Sequence, residues 1–147
     1  MGTYENLCAD REFCEALGRM TLAASRLESD LRAFLALSDV QVPQGEATFG
    51  ALITRLERCG LLSENGVSIL RHLKKQRNYL THSLYDLFAA RADQGLMQRD
   101  DLQDTALLAE RAGVLEQNLN GLSVTAEERI AQLEDGQPGG DGLLFRP

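Results

Sequence analysis

Three residues of this chain, Arg77, Asn78 and His82, have the types and the spacing to do chemistry together. Arginine offers a fixed fork of N–H donors that matches phosphate oxygens, and it does not deprotonate. Histidine transfers protons near neutral pH. Metal-free cleavage of RNA demands this pair of abilities. It needs a base for the ribose 2′-hydroxyl, an acid for the leaving 5′-oxygen and positive charge on the phosphorane. One imidazole cannot be base and acid in the same step, so a second copy of His82 brought across a symmetric interface would complete the set. Asn78, one helical turn before His82, is spaced to orient its ring.

The element that must position these groups is a long helical segment, roughly Glu64 to Ala92. Its apolar residues Leu70, Leu73, Leu80, Leu84 and Leu87 step by three and four, which makes one face apolar. Arg77 falls on that face, where a guanidinium is costly unless it is paired or opens on a cleft. Glu28 or Asp30 of the first long helix are the candidate acids if its role is structural. Five steps along an α-helix leave Arg77 and His82 about 140° apart. Either the helix bends or takes a π-bulge near Thr81, or the two groups face different surfaces.

The remaining elements follow from periodicity and punctuation. Residues 1–9 are an arm or first turn, and Asp10 is placed to cap the next helix. Phe13, Leu17, Met20, Ala24, Leu27, Leu31 and Phe34 then mark a helix of about 28 residues ending near Ser38. Pro43 and Gly45 make 39–47 a loop. Thr48 caps a short helix with Leu52, Ile53 and Leu56 inward and Gly60 as its stop, and Ser63 caps the central helix. Asp93-Gln94-Gly95 marks a turn, and Asp100 or Asp101 starts a helix striped by Leu108, Ala112, Leu115, Leu119 and Leu122. Asn120-Gly121 is expected to end it, with Thr125 and Glu128 forming a capping box for a last short helix to Glu134. The sum is an all-α, antiparallel bundle of about five helices over residues 1–134. Residues 135–147 form a flexible Gly/Pro-rich tail, in which Leu143, Leu144 and Phe145 are suited to dock on the protein or on a partner.

At 147 residues the chain is expected to be one domain able to bury a core without disulfides. The net charge of −7 counts against nonspecific gripping of nucleic acid, which favours basic domains, but leaves room for a local basic site. Arg71, His72, Lys74, Lys75 and Arg77 form such a cluster. Arg71, Lys74, Lys75 and Tyr85 are the candidate RNA contacts; the alternative is a solvated face and a packing tyrosine. Cys8, Cys14 and Cys59 lack the close spacing of a zinc site and are expected to be reduced, partly buried thiols of a cytoplasmic protein. No cofactor and no metal are expected, and no run approaches the length of a membrane span.

The Arg77-Asn78-x-x-x-His82 motif, late in a long helix of an α-bundle of this size, resembles the HEPN superfamily. Its pattern is an arginine, often followed by a polar residue such as asparagine, then a histidine after four to six residues. The resemblance covers roughly Phe13 to Leu122 by helix order. It implies a homodimer with the motifs near the interface and Arg77, His82 and Asn78 as the site. Many catalytic relatives in that superfamily are metal-independent endoribonucleases in toxin–antitoxin or defence systems, which would make RNA the substrate and an antitoxin or other protein the partner. Others are non-catalytic scaffolds that bind protein or RNA, and the motif alone leaves both open.

Overall fold

The computed structural model describes residues 3–43, 45, 47–83, 100–136 and 142–145. Among the described residues five α-helices follow in order: α1 (Thr3–Ala9), α2 (Arg11–Leu37), α3 (Phe49–Arg58), α4 (Glu64–Asn78) and α5 (Asp100–Glu134). A π turn, Tyr79–Ser83, continues α4. No strand occurs among the described residues, so the protein is an all-α bundle.

The three N-terminal caps expected at Asp10, Thr48 and Ser63 form. Asp10 accepts from the Phe13 N–H at 3.0 Å, Thr48 from Ala51 at 3.2 Å and Ser63 from Gly66 at 3.0 Å. Gly60 takes the positive φ of 68° that ends the α3 region, a conformation a β-carbon disfavours. The stripe of α2 is buried along its length, from Phe13 through Met20, Leu27 and Leu31 to Phe34, with Leu17 at its margin. Leu52, Ile53 and Leu56 of α3 face inward as their spacing requires.

The main packing is α2 against α5. Arg19 meets Glu116, and Arg26 meets both Asn120 and Glu127. Partner numbers rise together, so these two helices run in the same direction. By contrast α3 and α4 are antiparallel, since Arg71 meets Glu57 while Arg77 lies over Phe49.

The expected stop at Asn120-Gly121 does not occur. Helix α5 runs through it for 35 residues, and Thr125 donates its hydroxyl back to the Gly121 carbonyl at 3.2 Å instead of capping a new helix. Burial of Leu119, Ser123 and Ala126, with Ile130 and Leu133 packed on the core, carries the stripe past the glycine. Tertiary packing thus overrides a local stop signal. A β-carbon at Gly121 would meet nothing within 4 Å. Gly121→Ala is therefore expected to stabilise the protein by about 0.5–1 kcal/mol in a denaturant melt. A true left-handed cap would give a loss.

The Leu143–Phe145 segment docks onto the chain itself. The Leu144 N–H donates to the Leu61 carbonyl at 2.9 Å, and Arg129 Nε donates to the Leu143 carbonyl at 3.1 Å. Leu144 and Phe145 are 2% and 8% exposed and join the core cluster. The flexible tail assigned to 135–147 therefore does not include 142–145. All three cysteines are exposed, a second correction. Cys14 follows Phe13 on the side of α2 turned from the stripe, and Cys59 caps α3 at its solvent end.

Candidate functional site

The candidate site lies where α4 gives way to the π turn. Leu70 and Leu73 bury the helix on one side and Leu80 resumes the burial after the motif. Between them, Thr81 donates its hydroxyl to the Arg77 carbonyl at 2.9 Å, a back-bond that bends helices. The π turn Tyr79–Ser83 is the distortion that the five-residue spacing calls for. A π turn advances less rotation per residue than an α turn, which narrows the separation of Arg77 and His82 from about 140° to roughly 90°.

Arg77 is half-buried, with 22% of its side chain exposed. Its Nη1 sits 3.7 Å from Glu28 Oε1, and its guanidinium lies over the Phe49 ring, 5.5 Å from the centroid. The structural pairing weighed from sequence is thus present, with Glu28 as the acid. The pair is loose: Nε is buried with no hydrogen-bond partner, and 3.7 Å is beyond hydrogen-bond reach. Burial pushes the Glu28 carboxyl up, and the Arg77 charge offsets only part of that rise. The guanidinium therefore keeps unsatisfied donors.

Asn78 is half-buried and His82 is exposed. The outer basic residues divide. Arg71 is tied to Glu57 at 2.7 Å. Lys74 lies across Gly50, where a β-carbon would come within 2.6 Å of its Nζ. Lys75 is exposed. Tyr85, with Leu84, Leu87 and the 93–95 turn, lies outside the described residues. Among the described residues no group of three His, Cys, Asp or Glu is placed to hold a metal ion. Nor is any helix there long and apolar enough to cross a membrane.

Sequence reasoning missed the groove beside this site. It has a volume of about 610 Å³ between α4 and α5, with Tyr79, Leu80, Leu107, Val114 and Leu115 as its apolar surface. Lys75 and Arg111 stand on its rim with Glu110, and His72 closes one end. Neither Arg77 nor His82 lines it. The available signal was Leu107 and Val114, apolar residues off the Leu108–Leu115 stripe and about half exposed.

A second polar cluster joins α2 to α5. Arg26 makes two hydrogen bonds to Glu127, at 2.8 and 3.0 Å, which hold the Glu127 carboxyl below its usual range. Beside it, Asp30 is half-buried and faces Ser123 and Glu127. Burial pushes the Asp30 carboxyl up and the Glu127 charge pushes it further. A carboxyl raised in the fold contributes stability below its unfolded value, and that contribution is lost as pH rises through the folded value. Asp30→Asn is thus expected to raise Tm at neutral pH, by an amount that shrinks as pH falls through the carboxylate range. Thermal melts across that range check it.

Family models, curated proteins and solved structures give no match to this chain.

Proposed function

We propose that the chain is a HEPN-like, metal-independent endoribonuclease that acts as a homodimer, in a toxin–antitoxin or defence setting. Arg77 binds the scissile phosphate, His82 transfers the protons and Asn78 orients the imidazole. The observation that supports this reading is the π turn Tyr79–Ser83, which narrows the angle between the two groups to roughly 90°. The partial exposure of the Arg77 side chain supports it, because Glu28 at 3.7 Å leaves Nη1 without the hydrogen bond a phosphate would offer.

The α4–α5 groove is the surface that suits the second copy. Tyr79 belongs both to the π turn and to the groove, so a copy seated there brings its own His82 toward the first. The rim carries both signs, Lys75 and Arg111 against Glu110, which is the self-complementarity a two-fold contact requires. Val114→Glu is expected to shift the protein from dimer to monomer in sedimentation and to lower cleavage with it. A wild-type protein that sediments as a monomer at all concentrations overturns the dimer.

The second reading is a non-catalytic HEPN-like scaffold for protein or RNA. The Glu28–Arg77 ion pair favours it, and so does the net charge of −7, which repels long RNA. Incubation with labelled tRNA and mRNA in EDTA, wild type beside His82→Ala, separates the two. Cleavage by wild type alone supports the nuclease, and no cleavage of any RNA leaves the scaffold.

A further inference from the structure

We propose that Cys8 and Cys14 form a peroxide-oxidisable dithiol that closes to an intramolecular disulfide across the α1–α2 junction. On one continuous helix, residues six apart are separated by about 9 Å along the axis, beyond the roughly 7 Å that a disulfide tolerates between Cα atoms. The helix is not continuous there. Asp10, with ψ of 92°, breaks it between Ala9 and Arg11 and caps α2. The break folds the Cys14 side chain back under the end of α1. Its thiol donates to the Leu7 carbonyl at 3.3 Å and lies 3.8 Å from the Cys8 carbonyl oxygen. Bond lengths then put the Cys14 sulfur within roughly 6 Å of the Cys8 Cα. Both residues are exposed, so an oxidant reaches them and their side chains rotate without disturbing the core. Closing the bond costs the Cys14 thiol its hydrogen bonds to the Leu7 and Cys8 carbonyls. The Cys14 thiol is pushed up, by burial first and then by Cys8 and Asp10.

The chemistry balances with a hydroperoxide as oxidant. One thiolate attacks the peroxide oxygen, the O–O bond breaks, and a sulfenic acid forms as water leaves after protonation. The second thiol attacks the sulfenyl sulfur, the S–O bond breaks, and a second water leaves as the S–S bond forms. Two thiols and one hydrogen peroxide thus give one disulfide and two waters. The product ties α1 covalently to the first turn of α2.

The sequence supplies a direct assay, because Arg11 lies between the two cysteines and Arg19 follows them. Full-length protein is treated with stoichiometric hydrogen peroxide, alkylated and digested with trypsin without reduction. The expected product is residues 1–11 joined to 12–19, about 2 Da lighter than the two thiol peptides together. Dithiothreitol should separate them, Cys59 should remain alkylated, and Cys59→Ser should not change the yield. Recovery of the two peptides separately alkylated, oxidation that stops at sulfinic acid, or linkage through Cys59 overturns the proposal.

Discussion

His82→Ala is expected to abolish RNA cleavage in metal-free buffer while the melting curve stays where wild type has it. The side chain is exposed, and its removal from the π turn deletes no buried contact, so stability should change by no more than about 0.5 kcal/mol. Loss of a positioned proton-transfer group costs about 10²–10⁴ in rate, so residual cutting should sit at least two orders of magnitude down. Arg77 needs a different variant. Arg77→Ala leaves Glu28 half-buried without its counter-charge, and a loss of activity there would be confounded by a loss of fold. Arg77→Lys keeps the charge and removes the fork of donors, so it should melt near wild type and still cut poorly. If His82→Ala cuts as fast as wild type, the nuclease reading fails whatever Arg77 does.

That the test can be framed this way depends on what the sequence discloses about position. The caps at Asp10, Thr48 and Ser63 are local chemistry, a side-chain oxygen meeting the N–H three residues on, and local chemistry is legible one residue at a time. The π turn is legible for another reason. Arg77 in the leucine stripe and His82 five residues on are incompatible with one face of a straight helix, which leaves either a distortion near Thr81 or two separate surfaces, and a π turn is found there. The parallel course of α2 and α5 is set by long-range packing, and periodicity within one element carries no direction. Gly121 fails as a stop for the same reason, since the stripe that overrides it is read only by the core it packs against. The cysteines illustrate a composition rule losing to geometry. Free cysteine favours burial, yet Cys14 directly follows Phe13 and so faces away from the core. Glu28 as the partner of Arg77 was one of two acids of suitable spacing, and only the approach of the helices selects it over Asp30.

Leu144→Ala is expected to cost about 2–4 kcal/mol, and to lower Tm by roughly 5–15 °C in a chain of this size. Leu144 is among the largest fully enclosed side chains of the protein, though it sits three residues from the last position of the chain. Its N–H is satisfied by the Leu61 carbonyl, and the preceding carbonyl by Arg129, so the backbone is fixed on both sides of the buried leucine. Leu61 lies in the connection from α3 to α4, and Arg129 lies on α5. The docked segment therefore joins the α3–α4 connection, just before the helix that leads to the candidate site, to the helix that packs on α2. Removing its anchor should loosen α4 relative to α5, and cleavage should fall together with stability. The contrary expectation is equally definite. If Leu143–Phe145 serves chiefly as a docking peptide for another protein, Leu144→Ala leaves the melt unchanged and weakens only the partner's binding. Thermal denaturation beside hydrogen exchange at the Leu144 amide distinguishes the two, because only a segment built into the core protects that amide through global unfolding.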